Sequence, residues 1–192
     1  MKRSWKDEPT GVRFHRGHTW VRFVSVNLAF VGATDFAIKF AGGLAGLALP
    51  ADMQTLRAGE PAWRLLSRKG RTLGQLSPVG GQVLVVNSDL LEDPGGLSGS
   101  PYYDGWLFCL RSPRTSDPIQ DLLSREADQE GLNQMIQNME TVLGSPLRVP
   151  FQEGAWRPDF GDEFTDEEWG TLRKRLFPTT HGWPAQTRTL LE

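Results

Sequence analysis

The chain has 192 residues, 39% of them hydrophobic and 23% charged, which is enough apolar material for one core with an appendage. Its formal net charge of -2 supplies no global field aimed at nucleic acid or an anionic membrane, so any electrostatic recognition must be local. Cys109 is the single cysteine, which excludes an intrachain disulfide and a cysteine zinc cluster.

Residues 1–10 are rich in Lys, Arg, Asp and Glu and have no apolar segment, so they read as an N-terminal arm and not as a signal peptide. The longest apolar stretch, residues 36–50, is interrupted by Lys39 and by Gly42, Gly43 and Gly46. That falls short of the roughly 20 apolar residues that membrane insertion needs, and a cytoplasmic location is expected. From residue 11 to 112, short alternating segments are separated by Gly, Pro, Asn and Asp, the pattern of a small barrel or sandwich. Strands are expected over 19–24 and 28–32, joined by a turn at 25–27. A short helix follows over 34–40, with Asp35 at its start and Phe36, Ala37 and Phe40 on one face. Further strands are expected over 44–49, closed by Pro50, and over 63–67, 72–76, 82–87 and 106–111. Pro78, Val79, Gly80 and Gly81 make a turn.

After Ser112 the period changes. Asp117 fits an N-cap, Pro118 the first helical position and Gln120 a capping partner. Ile119, Leu122, Leu123, Leu132, Met135, Ile136, Met139 and Leu143 recur at helical spacing. Gly131 costs about 1 kcal/mol relative to Ala in mid-helix, which leaves one helix or two open. Gly144 and Pro146 stop it. These apolar residues are read as packing on the barrel, with a partner-helix surface as the alternative because methionine adapts to irregular surfaces. Residues 147–161 form a connection punctuated by Pro and Gly. Thr165 and Glu168 then make a capping box, Phe164 and Trp169 a hydrophobic staple, and Trp169, Leu172 and Leu176 a narrow apolar stripe. The tail from Pro178 is expected to be irregular.

The motifs taken together resemble a known family. His18-Thr19-Trp20-Val21, Val31-Gly32-Ala33-Thr34-Asp35-Phe36-Ala37 and Leu49-Pro50 are similar to the opening of the glycine cleavage system H protein. The likeness continues through Ala58-Gly59-Glu60, Ser77-Pro78-Val79-Gly80-Gly81-Gln82-Val83 and Val86-Asn87. It closes on Leu91-Glu92-Asp93-Pro94, Ser100-Pro101-Tyr102 and Gly105-Trp106-Leu107, and residues 121–127 resemble the family's C-terminal helix. The resemblance implies a mainly β, hybrid barrel-sandwich domain of the lipoyl/biotinyl type over residues 11–132. Residues 133–192 would add a helical and acidic C-terminal extension. It also implies a cytoplasmic shuttle whose lipoyl arm, carried on a hairpin lysine, moves an aminomethyl group between enzymes.

That lysine is where the chain departs from the family. The family hairpin runs acidic residue, small residue, Val, modified Lys, Ala. Counting back from Ser77-Pro78-Val79 without a gap puts the lysine position on Gly70 and the acidic position on Ser67, while Lys69 stands one place earlier among Arg68 and Arg71. Two readings follow. In one, the returning strand has gained a residue, and Lys69 stands at the tip as the lipoyl attachment site. In the other, Lys69 and Gly70 form a basic turn in which glycine supplies a positive φ. The absent acid and the added arginines favour the second.

Between residues 61 and 88 the charged residues are Arg64, Arg68, Lys69 and Arg71, with no acid. They read as a solubilising sheet edge or as a docking patch for an acidic partner. One such partner lies in the chain itself: residues 153–168 hold Glu153, Asp159, Asp162, Glu163, Asp166, Glu167 and Glu168 against Arg157 alone. This segment is expected to fold over the hairpin, held chiefly by Trp156 or Phe160. The candidate interaction patch is therefore Arg64, Arg68, Lys69, Arg71, Trp156 and Trp169. Trp156 and Trp183 lie in loops and suit a contact surface, whereas Trp20 and Trp106 suit the core. Cys109 reads as a buried structural thiol. His15, His18 and His181 make no metal site, and no catalytic motif is present. The expected function is a non-catalytic scaffold or adaptor without a lipoyl group, acting through unidentified protein partners in a larger assembly. No nucleic acid and no membrane insertion are expected. A working lipoyl carrier modified on Lys69, passing aminomethyl groups or electrons between enzymes, is the alternative.

Overall fold

The computed structural model describes residues 11–112, 122–123, 125–177 and 187–189. In chain order the first elements are β1 (Val12–His15), β2 (Thr19–Phe23), β3 (Leu28–Ala33), α1 (Asp35–Ala41), β4 (Leu44–Pro50), β5 (Thr55–Leu56) and β6 (Pro61–Ser67). Then come β7 (Thr72–Leu76), β8 (Gly81–Val86), the short helices α2 (Asp89–Glu92) and α3 (Gly96–Gly99), and β9 (Phe108–Arg111). After these stand β10 (Leu122–Leu123), α4 (Arg125–Leu143), β11 (Phe151–Gln152), β12 (Ala155–Trp156), α5 (Asp166–Leu176) and β13 (Thr187–Thr189). Among the described residues, one sheet runs β10-β1-β2-β3-β9-β8-β5 and a second runs β13-β4-β6-β7. Val21, Ala29, Val31, Leu47, Leu49, Leu65, Leu73 and Leu110 from these strands share one buried cluster, as period-two alternation requires of sheets that enclose a core.

α1 forms because Thr34 holds an extended backbone and its hydroxyl accepts the Ala37 N–H at 3.3 Å. Asp35 and Lys39 pair at 2.8 Å across one turn, and Gly42, at φ 88°, ends the helix. Phe36, Ala37, Ile38, Phe40 and Ala41 are all buried, more than the single expected face. α1 is covered on two sides, by the barrel and by the C-terminal extension.

The structure corrects the expected helix over residues 119–143 at its start. Leu122–Leu123 is a strand, pairing Phe14 with Leu123 and His15 with Leu122, and helix begins only at Arg125. The open edge of β1 offers backbone donors and acceptors that outweigh the local helical period. The caps expected at Asp117, Pro118 and Gln120 lie outside the described residues. From Arg125 the helix runs unbroken through Gly131, and Gly144, at φ 71°, closes it with its N–H on the Glu140 carbonyl. The tail is not irregular throughout, since Thr187–Thr189 pairs with β4. The expected connection contains the β11–β12 hairpin and a turn of 3-10 helix at Phe160–Glu163. α5 begins with the expected capping box of Thr165 and Glu168.

The extension shares the barrel's core. Met139, Leu143, Trp156, Phe160, Phe164, Trp169, Leu172, Leu176 and Phe177 belong to the same buried cluster as the strand residues. Trp20 packs with Val12 and Phe14 in a smaller cluster that Trp106 borders. Cys109 is buried, which pushes its thiol up, and it is inert in this setting.

His18 pins the extension to the β1–β2 turn. It adopts φ 57°, and its ring lies 4.8 Å from Phe36 and 4.7 Å from Phe177. Its Nε2 donates to the Leu176 carbonyl at 2.9 Å. Burial lowers its pKa to about 4; the bond to Leu176 opposes the shift and His15 adds to it. The folded state therefore favours the neutral ring. Stability on the order of 2–3 kcal/mol is present above the unfolded value near 6.5 and is lost as pH falls towards about 4. His18→Asn keeps a residue that tolerates the left-handed conformation. Urea unfolding of both proteins between pH 7 and pH ~4 is expected to show a flatter pH dependence for the variant. Parallel curves would exclude His18 as the titrating group.

Candidate functional site

The hairpin of β6 and β7 turns through residues 68–70. The Ser67 N–H donates to the Arg71 carbonyl at 2.8 Å, and the Gly70 N–H donates to the Ser67 carbonyl at 2.9 Å. Gly70 has φ 74°, the left-handed position of a three-residue hairpin loop. Ser67, where the family pattern calls for an acid, is buried, and its Oγ accepts the Lys69 N–H at 3.1 Å. Lys69 thus stands at the apex, and Gly70 supplies the turn.

The apex is not free of the rest of the chain. Lys69 Nζ donates to the Asp162 carbonyl at 2.5 Å. Arg71 donates from one terminal nitrogen to the Gly161 carbonyl and from the other to the Phe164 carbonyl, both at 2.7 Å. Its Nε and a terminal nitrogen also reach Asp166 Oδ1 at 2.9 and 2.8 Å. The guanidinium lies 5.5 Å from the centre of the Trp169 ring. Only 8% of the Arg71 side chain is exposed, against 92% for Asp166. The main-chain carbonyls, and less the acidic side chains, are what hold the hairpin to the extension.

The cap made by residues 161–166 is seated on the C-terminus of α1. Asp162 Oδ2 accepts the Gly43 N–H at 2.9 Å, and Trp169 Nε1 donates to the Phe40 carbonyl at 3.0 Å. Gly161 passes so close that a Cβ there would lie 1.9 Å from the Phe40 carbonyl oxygen. Arg68 joins the same junction through its N–H, which donates to the Gly43 carbonyl at 2.8 Å. Behind the cap, Arg148 and Glu168 pair at 2.8 Å. The Arg148 guanidinium, aided by the Thr165 N–H, holds the Glu168 carboxyl down at about 2.

Of the six patch residues, the structure brings Lys69, Arg71 and Trp169 together and places Arg68 beside them. Arg64 stands further down β6, opposite Gly74 and Ala48. Trp156 is corrected: it lies in β12, not in a loop, and is buried 4.8 Å from Phe36, with its carbonyl accepting Lys39 Nζ at 3.0 Å. Neither Trp156 nor Trp169 presents a free contact surface, because both rings are consumed inside the chain. Trp183 lies outside the described residues. The sequence reading missed Gly42, Gly43 and Gly161, whose only signal was glycine after a short helix and glycine within an acidic run. Among the described residues no cluster of His, Cys, Asp or Glu fits a metal ion, and no helix is long and apolar enough to cross a membrane.

Comparison with known proteins adds a family. A family model described as Glycine cleavage H-protein matches residues 12–135. The glycine cleavage system H protein of Hydrogenovibrio crunogenus is 35% identical over 124 residues, covering 65% of this chain and 94% of that protein. That of Anoxybacillus flavithermus is 32% identical over 127 residues, covering 66% and 97%. A crystal structure of a glycine cleavage system H protein from Mycobacterium marinum superposes with a TM-score of 0.56 at 26% identity, covering 64% of this chain and 98% of that one. The cap residues 161–166 and helix α5 lie beyond the stretch that the family model matches.

Proposed function

We infer the function from this premise: the chain belongs to the glycine cleavage H-protein family, whose members are non-enzymatic carrier proteins. We propose that this member is a scaffold or adaptor, carries no lipoyl group, and acts through protein contacts as a subunit of a larger assembly. Residues 11–132 serve as the carrier-type barrel and residues 133–192 as an addition, of which residues 161–166 lie over the hairpin.

The observation that carries this reading is the state of the hairpin. A lipoyl arm needs an apex amine that is free to be modified and to swing between partner enzymes. Here the apex ammonium is bonded to the Asp162 carbonyl, and the residue two places on, Arg71, is enclosed by the cap. This contact within the chain supports a hairpin that does not carry the group. The alternative carrier role on Lys69 draws its support from the place of that residue at the apex of the turn.

Intact mass of the protein from its native host, with peptide mapping across residues 63–77, tests the proposal. The expected result is an unmodified Lys69 in a host whose other lipoyl proteins are loaded. A lipoyl-sized addition on Lys69 would establish the carrier role instead. Elution of the native protein as an isolated monomer would remove the support for an assembly.

A further inference from the structure

We propose that residues 161–166 are a standing guard on the hairpin, occupying in cis the flank by which a modifying or docking protein would have to grip Lys69. This rests on the reading that Lys69 carries no group, and it identifies what keeps the residue so. The altered hairpin sequence is then only half of the reason. The other half is a segment outside the family match that has taken over the hairpin as its own receptor.

Three observations support the guard. First, each of the three guanidinium nitrogens of Arg71 is bonded to it: to Gly161, to Phe164 and to Asp166. An arginine committed in this way, with four of its five guanidinium N–H donors bonded, has little left to offer a visiting protein. Second, the guard is registered on the molecule independently of the hairpin, through Asp162 on Gly43, Trp169 on Phe40, and Gly161 against the Phe40 carbonyl. Its position over the tip is therefore set by α1 together with the Arg71 fork, and both are needed to hold it against Lys69. Third, Phe160, immediately before the guard, and Phe164, inside it, are buried in the core shared with the barrel. Lifting the segment would expose them, so release requires local unfolding and not the swing of a hinge. Lys69 itself remains an exposed residue. What the guard holds is its ammonium, and what it obstructs is a bulky protein approaching the hairpin flank.

Pulse acetylation of the full chain with an N-hydroxysuccinimide acetate tests this. Lys69 is read against Lys174, which is exposed on α5, by quantitative peptide mass spectrometry. In the folded wild type, Lys69 is expected to react about tenfold more slowly than Lys174, the lower end of what one hydrogen bond from a charged group is worth. Gly161→Ala drives a Cβ into the Phe40 backbone, and Arg71→Gln removes the fork. In either variant, shown folded by circular dichroism and a cooperative urea transition, the two rates are expected to converge. Equal rates in the wild type would overturn the guard. So would a folded Arg71→Gln protein in which Lys69 stays slow, and this second variant decides the matter if Gly161→Ala fails to fold. A lipoyl group on Lys69 of the native protein would overturn both the scaffold reading and the guard. Fast labelling with no native modification would overturn the guard alone and leave the scaffold reading standing.

Discussion

Trp169→Ala is expected to destabilise the protein by about 3–5 kcal/mol, the range for truncating a buried large aromatic. Three contacts are lost together. The ring stacks on Phe40 at 5.3 Å and 19°, its Nε1 donates to the Phe40 carbonyl at 3.0 Å, and the Arg71 guanidinium sits over it. Trp169→Phe separates them, since it keeps most of the stacking and leaves the Phe40 carbonyl without its donor, for about 1–3 kcal/mol. Urea unfolding with tryptophan-independent detection measures both. Because extension and barrel share one cluster, the loss should appear as a lower midpoint with a nearly unchanged slope. A separate early transition, with the barrel unfolding later at its wild-type midpoint, would mean that the extension folds on its own, contrary to this packing.

The barrel was legible because its strands alternate. Thr72–Leu76 matches the expected span, and Pro61–Ser67 and Gly81–Val86 differ from it only at their ends. Thr165 and Glu168 announced their capping box through spacing alone, since both partners lie within one helical turn. The two- and three-residue strands β10 and β13 carry no period, and what makes them strands is the edge of β1 or β4 that they meet. Trp156 was misplaced for a similar reason. Its surroundings look like a loop, and its burial comes from α1, far away in sequence. The charge contrast between residues 61–88 and 153–168 pointed to the right pair of segments, and Trp156 and Phe160 are buried in the shared core. The polar contacts to the hairpin go mainly to the carbonyls of residues 161, 162 and 164, and no sequence pattern marks a carbonyl. The gap-free count that put the lysine position on Gly70 presumes strands of fixed register. β7 pairs residue by residue from Thr72 to Leu76, and the extra residue between Pro61 and Trp63 lies in β6, outside the stretch that was counted.

Arg71→Met should cost about 2–4 kcal/mol, much more than the loss of an ion pair would explain. Asp166 is 92% exposed, so its share of the pairing is screened, and Asp166→Asn is expected to cost under about 1 kcal/mol. The guanidinium is only 8% exposed, and its other bonds go to the carbonyls of the buried residues Gly161 and Phe164. Methionine fills much of the same volume and satisfies neither carbonyl, at roughly 1–3 kcal/mol for each acceptor left dry. Arg71→Lys separates charge from geometry, because an ammonium at that position cannot serve two diverging carbonyls and a carboxylate with one planar fork. It should recover less than half of the loss. A double-mutant cycle between positions 71 and 166, run by urea unfolding at low and high salt, is expected to give a small, salt-sensitive coupling. Most of the Arg71 cost should persist at both salt concentrations. If the coupling accounted for most of that cost, the hairpin would be held by its charges after all, and the carbonyls of the cap would be incidental to it.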